Sequence, residues 1–494
     1  MLCLTIGKEA FMVEKGSCIK EHLKKIGFMM PCGGNGLCGK CKIRANGAVS
    51  PITEQEKAML TSAEIRDGVR LACFTYVEGD CSVSIPKETM HCAAIAEGVA
   101  VDGLEAPSWN YAIAVDIGTT TVAMVLIDGY GNILAKTTVA NPQAAWGADV
   151  LTRAQAAAAG EGEKLTASIR ACINEQIAAL CQSAEMQTEQ IDAMAVAGNT
   201  VMLCLYAGVP VDGLIRAPFR SASLFGLTQT ASQCAVRGVR GDVPVYFPPC
   251  LDAFLGADFT CAMGAVGLLA HNQTALLLDI GTNGEMGLWH NGILCVCSTA
   301  AGPAFEGVGI SCGMPAVGGA IEGVDVINQR LEYRVIGGGD IRGVCGSGLI
   351  DLLACLKQVQ EVDENGCLLT QPYYVSHQVQ LTQEDAQNLM VSKSAIRSGI
   401  DTLLHHAGIT PSEVETVYLA GGFGSTLHIP SAVAIGLIPR EMSAKIRFVG
   451  NAALEGARRF LFEGNVTAFP PIRKMDLATD AYFADAFIRH MKLD

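Results

Sequence analysis

The chain has 494 residues, 50% of them hydrophobic, with 20 cysteines, 54 glycines and a formal net charge of −14. Such a length argues for several packed domains, and the acidic balance argues against a nucleic-acid or anionic-membrane partner. No run of about 18 apolar residues offers a membrane span, and the N-terminal MLCLTIGKEAFMVEKG lacks a signal-peptide layout, so a cytoplasmic location is expected.

LCLTI alternates as a strand, SCIKEHLKKIG has helical spacing, and CKIRANG and DCSVSIP return to strand alternation. Between helix and second strand lies PCGGNGLCGKC, where Cys32, Cys38 and Cys41 form a C-x5-C-x2-C pattern; Cys73 follows in RLACFTY. Three thiolates on one loop and a fourth from a distant strand are the ligand plan of a plant-type [2Fe–2S] centre. Gly33, Gly34, Gly36 and Gly39 remove Cβ atoms that would keep backbone N–H groups away from the sulfides. Structural zinc is the competitor, but it normally uses paired cysteine knuckles, and Cys73 has no partner at that spacing. Other cysteines, as in GILCVCSTA and LLACLK, sit in apolar runs and read as reduced core residues. Residues 1–88 are therefore expected to form a small β-grasp ferredoxin-like domain, with a short linker at 89–109.

The pattern then changes. YAIAVDIGTTTVAMVLID (111–128) is an apolar strand, a DxGT turn and a second strand, and ALLLDIGTNGEMGLWHNG (275–292) repeats the design. Two copies imply two related α/β halves facing each other, over 110–272 and 273–494. In such a turn the carboxylate can hold hydrated Mg²⁺, glycine lets the backbone approach phosphate, and threonine binds oxygens. The candidates are Asp116, Gly118, Thr119 and Thr120 in the first copy, and Asp279, Gly281, Thr282 and Asn283 in the second. Three further glycine-rich turns follow apolar strands or open helices: Gly198, Asn199 and Thr200 in AVAGNT; Gly346 and Ser347 in GVCGSG; and Gly421, Gly422, Phe423 and Gly424 in LAGGFG. Singly, each is equally well a tight turn or helix cap. Their order along the chain is the informative feature.

The ordered set DIGTTT, AGNT, DIGTNGE, STAAGPAFEG, GVCGSGLIDL and LAGGFG resembles the ATPase superfamily of acetate and sugar kinases, Hsp70 and actin. Joined to a C-x5-C-x2-C ferredoxin, the whole resembles the reductive activators of corrinoid enzymes, and the resemblance includes NPQAAWGADVLTR (141–153), LGAD (255–258) and VGNAALEGA (449–457). It implies two RNase H-like halves of an actin-like ATPase that binds ATP and Mg²⁺. Asp116, Asp279, Asp258 and Glu306 would be catalytic, the last three being candidates for the base that orients water. Gly302 would join the nucleotide residues, and Gly421 and Gly422 would lie against the adenosine. The implied activity is ATP-driven transfer of one electron from the [2Fe–2S] cluster to an inactive Co(II) corrinoid protein, restoring Co(I) for methyl transfer. An upstream low-potential donor and a homodimer are implied too, while the linker is shorter than the extra domain usual in that family. Two other readings stand beside it: a nucleotide-gated electron carrier without productive hydrolysis, and a small-molecule kinase with an accessory cluster.

Overall fold

Five strands build the N-terminal sheet: β1 (Leu2–Ile6), β2 (Glu9–Val13), β3 (Lys42–Val49), β4 (Val69–Leu71) and β5 (Val77–Ser84). Their order is β2-β1-β5-β3-β4, with β1 parallel to β5 and the other neighbours antiparallel, a β-grasp arrangement. Alternation in LCLTI turns Leu4 and Ile6 inward, where Ile19 and Leu23, one turn apart on the helix Ile19–Lys25, close the core. The computed structural model describes residues 2–7, 9–25, 28, 36, 39, 41–60, 62–84, 107–421, 427–464 and 469–493. Cys32, Cys38, Gly33, Gly34, Gly422, Phe423, Gly424 and most of the expected linker lie outside them.

The rest of the chain carries two six-stranded sheets. The first contains β6 (Tyr111–Ile117), β7 (Thr121–Asp128), β8 (Ile133–Ala140), β9 (Ala193–Gly198), β10 (Leu227–Thr230) and β11 (Pro244–Phe247). Next come β12 (Ala275–Ile280), β13 (Gly284–His290) and β14 (Ile293–Thr299). After them, β15 (Ala320–Ile327), β16 (Arg330–Val335) and β17 (Gly343–Val344) form a small sheet, and β18 (Tyr373–Tyr374) pairs with β19 (Gln380–Leu381). β20 (Thr416–Ala420), β21 (Ile446–Gly450) and β22 (Ile472–Lys474) complete the second large sheet.

The large sheets share one plan. An antiparallel meander, β6-β7-β8 or β12-β13-β14, continues from its first strand into two parallel strands, β9 and β11 or β20 and β21. β6 and β12 are central and covered on both faces, which is why they read as unbroken apolar runs. Both DIGT turns consequently occupy equivalent places, at the tight connections β6–β7 and β12–β13.

The halves also exchange helices. Helix Ala257–Ala265 follows the first sheet in sequence, yet its Phe259, Ala262 and Met263 pack with Leu277, Leu294 and Tyr418 of the second. Helix Ala452–Glu463 follows β21, yet Leu454, Ala457 and Phe460 cover Ala112, Ala114 and Ala195 of the first. Fully burying a side chain such as Phe259, 0% exposed, stabilises by about 1.5–3 kcal/mol. The two helices meet at Gly456, where a Cβ would stand 1.8 Å from the carbonyl oxygen of Cys261. Only glycine allows that approach.

Candidate functional site

In the N-terminal domain a tight turn follows β4. The N–H of Phe74 donates to the Leu71 carbonyl, the Thr75 hydroxyl donates to the same oxygen, and Ala72 N–H reaches Cys41 O on the loop entering β3. The turn points Cys73 at Cys41, with the two Sγ atoms 3.3 Å apart, and both residues are buried. Its strand is held by Arg70, whose guanidinium spans both oxygens of the buried Glu56 at 2.9 Å and donates to Ser50 O at 2.7 Å. Cys41 is drawn down to about 7 by its hydrogen bond with Cys73, against burial, with backbone N–H groups of residues 72, 73 and 41 adding to the fall. A thiol poised to ionise, backed by aligned N–H donors, is what a thiolate ligand to iron requires. Gly36 and Gly39 themselves adopt left-handed backbone, at φ of +75° and +61°; at Gly36 a Cβ would press on the Phe74 ring at 2.6 Å. By contrast Cys295 and Cys355 are buried among apolar side chains, and burial pushes both thiols up.

The second site lies between the large sheets. Asp116 ends β6 one residue before its last, Asp279 does the same on β12, and Asp258 stands in the first turn of Ala257–Ala265. Asp116 is pushed up to about 6 by burial, less the effect of Asn451, and Asp279 to about 7 by burial and by Asp116. Asp258 reaches about 8 through burial and the charges of Asp116 and Asp279. Glu285 on β13 is raised well above the carboxylate range by burial and by Asp258 and Asp279. Burial raises all four carboxyls, and Asp116, Asp279 and Asp258 add to the rise of their neighbours, so the centre is short of positive charge. Among the described residues no three acidic, His or Cys side chains converge tightly enough to chelate an ion directly. Such a donor set fits Mg²⁺ that keeps its own water shell.

Both halves reach this centre. Asn451, N-cap of the exchanged helix Ala452–Glu463, donates from Nδ2 to Asp116 Oδ2 at 2.9 Å. Glu306 bridges the two DIGT loops, accepting from the Thr282 hydroxyl at 2.9 Å and the Thr120 hydroxyl at 3.2 Å. Burial raises its carboxyl; the two threonines and the cation Arg153 oppose that. Arg153 is itself fully buried, lowered to about 10 by burial, and anchored on Gly147 O at 2.8 Å. Asn141 shapes the first loop by donating to Gly118 O at 2.8 Å.

The remaining expected residues fall into two groups. Asn199 caps helix Thr200–Ala207 and donates to Thr119 Oγ1 at 3.3 Å, and Gly256 brings Asp258 against it, since a Cβ there would lie 2.4 Å from Asn199 Cα. Gly421, at φ +89°, abuts Asp279: a Cβ would lie 2.8 Å from Oδ1. Asn283 shares a cavity with Asn199 and Glu285. Gly302 caps the short turn that carries Glu306. Gly346 and Ser347 open the helix Gly346–Gln358 at the small sheet, and the Ser347 hydroxyl donates to Glu322 O at 3.0 Å. Glu285, Asn451, Arg153 and Asn141 are the side chains that motif reading leaves unassigned, although each lies within a quoted motif: DIGTNGE, VGNAALEGA or NPQAAWGADVLTR.

Comparison with known proteins identifies the domains that carry these sites. A 2Fe-2S iron-sulfur cluster binding domain model matches residues 5–78, the RACo middle region matches 111–271, and the C-terminal domain of RACo, the ASKHA domain, matches 273–494. The corrinoid activation enzyme RamQ of Eubacterium limosum is 31% identical, over 76% of this chain and 69% of that protein. The [Co(II) methylated amine-specific corrinoid protein] reductase of Methanosarcina barkeri is 26% identical, over 72% of this chain and 70% of its own. A solved reductive activator for corrinoid, iron-sulfur protein superposes with a TM-score of 0.68 at 26% identity, covering 100% of this chain and 98% of that one. With a ferredoxin domain followed by the two halves of an ASKHA ATPase, the chain belongs to the family of reductive activators of corrinoid proteins.

Proposed function

We propose that this protein is an ATP-dependent reductive activator that passes one electron to an inactive Co(II) corrinoid protein of a methyltransferase system, regenerating Co(I). The observation that carries this reading is the union, in one chain, of a paired-thiol site at Cys41 and Cys73 with an acidic cleft closed by two DIGT loops. Cys41 and Cys73, with Cys32 and Cys38, would hold the [2Fe–2S] cluster, and Asp116 and Asp279 would hold Mg²⁺ through water. When bound, the cluster supplies one-electron chemistry and Mg²⁺ offsets phosphate charge.

The chain's own residues supply the rest. Thr119, Thr120, Thr282 and the N–H groups of both loops receive phosphate oxygens, and Asn199 and Asn283 orient them. Gly421, with Gly422, Phe423 and Gly424, would supply the surface for adenosine. Asp258, raised to about 8 by burial and then by its neighbours Asp116 and Asp279, is the group matched to accept a proton from attacking water. Glu306 already binds a hydroxyl from each loop, so it ties the halves together rather than acting as base.

Electron transfer to the corrinoid is uphill, and each 100 mV costs about 2.3 kcal/mol per electron. Closing the two halves around nucleotide lets ATP binding and hydrolysis drive a change in the partner complex, which cluster chemistry alone cannot do. A low-potential donor re-reduces the cluster, and the working form is a homodimer in the cytoplasm. No helix among the described residues is long and apolar enough to cross a membrane. The test is anaerobic incubation with candidate Co(II) corrinoid proteins, reductant and ATP, followed by the visible absorption of Co(I). ATP-dependent Co(I) supports the reading; identical reduction without ATP contradicts it.

A further inference from the structure

Beside the acidic centre lies a small cavity whose lining includes Asn199, Asn283 and Glu285 together with Leu151 and Phe254. Leu151 and Phe254 are 48% and 45% exposed, so the cavity opens onto an apolar surface. Phe219, 42% exposed, extends that surface by packing on Phe254 with ring centroids 5.5 Å apart. The loop that delivers Phe219 is held by its backbone. Phe219 N–H closes a turn on Arg216 O, and Arg220 N–H donates to Gly213 O, both at 2.8 Å. Phe219 sits at φ +51°, a left-handed conformation that a bulky residue adopts only when its surroundings impose it. On either side of it stand Arg216 and Arg220. Both are exposed, and neither has an ion-pair or side-chain hydrogen-bond partner among the described residues. Two unpaired guanidinium groups flanking a fixed aromatic are conspicuous on a chain of net charge −14.

Exposed aromatic residues with exposed arginines next to one of them on the same loop are the composition of a protein-binding hot spot. The charge indicates what covers it. A second copy related by a two-fold axis would bring the same patch onto itself, opposing arginine to arginine. A different protein, with carboxylates around an apolar knob, is complementary. The patch shares its cavity with Asn283 and Glu285 of the second half, so movement between the halves alters the surface offered. We propose that Phe219 and Phe254, flanked by Arg216 and Arg220, form the docking surface for an acidic face of the corrinoid protein, placed so that the nucleotide cleft senses the docked partner. The identity of this partner rests on the function proposed above.

The experiment uses the full-length, cluster-loaded protein and the Co(II) corrinoid protein that the wild type reduces with ATP. Binding is measured by titration calorimetry at low and high salt for the wild type, Arg216→Glu/Arg220→Glu and Phe219→Ala. Melting temperature and cluster absorption report folding, and light scattering reports oligomeric state. The charge reversal should weaken binding roughly tenfold to a hundredfold and flatten its salt dependence, and Phe219→Ala should weaken binding without changing the salt slope. Basal ATPase, fold and oligomeric state should be unchanged. Wild-type affinity in the charge-reversed protein overturns the proposal, and so does a change in oligomeric state, which would make the patch an interface between copies. If the wild type reduces no Co(II) corrinoid protein, the function itself is wrong. If it reduces one and the variants bind as tightly, only the docking surface is wrong.

Discussion

Asn451 holds Asp116 across the two halves: its Nδ2 donates to Asp116 Oδ2 at 2.9 Å while its own Oδ1 caps the helix Ala452–Glu463 at Leu454 N–H. One side chain thus starts the exchanged helix and steadies a carboxylate of the acidic centre. Replacing it by alanine removes both bonds. Asn451→Ala should lose about 1 kcal/mol through the cap alone and should cut ATP hydrolysis, leaving the cluster spectrum intact. Thermal melting with an ATPase assay checks this, and unchanged hydrolysis would mean the bond has no part in the site.

Glu306 offers a sharper comparison, because it accepts from Thr120 and Thr282 at once. Glu306→Gln keeps the shape but leaves one oxygen, so ATP turnover should drop roughly tenfold, about 1.4 kcal/mol. If the residue acts as a tie, Thr282→Val should cost little more once Glu306 is already glutamine. Additive losses in this double-mutant cycle would instead assign Glu306 a role independent of the loop.

Much of this site is legible in the residues, and the remainder is not, for a physical reason. β6 and β12 are buried on both faces, so each announces itself as an apolar run that stops at its aspartate. The turn chemistry of DIGT follows locally. Glu285 is different: in GEMGLW it reads as one polar residue of a strand, and its part in the centre emerges only when β13 faces Asp258. Asn451 arrives through the exchange of helices, which no local period encodes; Asp258 arrives the same way and is named only through the resemblance that includes LGAD. Arg153 carries no local sign of burial in NPQAAWGADVLTR, yet it is fully buried and its charge acts on Glu306.

The cluster strand carries a pH signature. Burial tends to raise Glu56, but Arg70 and the N–H groups of Thr53 and Leu71 outweigh it and hold the carboxyl below its usual value. A depressed carboxylate contributes stability above its unfolded pKa, about 4.3, and that stability is lost as pH falls through the lower folded value. The ferredoxin domain should therefore lose stability below about pH 4. Glu56→Gln should be less stable at pH 7, by about 3 kcal/mol if Arg70 is left without its charge partner, and should show a flatter acid limb. Melting curves from pH 3 to 7 decide it; parallel acid limbs would exclude the pair as the cause.

Iron content separates ligand from core cysteines. Cys73→Ser should lose iron and the red-brown absorption, since an alkoxide substitutes poorly for thiolate, whereas Cys295→Ser should keep about two irons per chain. Full iron and an unchanged spectrum in Cys73→Ser would remove it from the ligand set.

The coupling of the two sites is tested most directly by following Co(I) absorption in anaerobic mixtures of Co(II) corrinoid protein, reductant and ATP with wild type or Asp279→Asn. The amide keeps the shape but removes charge that Mg²⁺ needs. Wild type should generate Co(I) only with ATP. Asp279→Asn should bind iron and accept electrons from the reductant, yet yield no Co(I). Full ATP-driven Co(I) formation by Asp279→Asn would contradict the account.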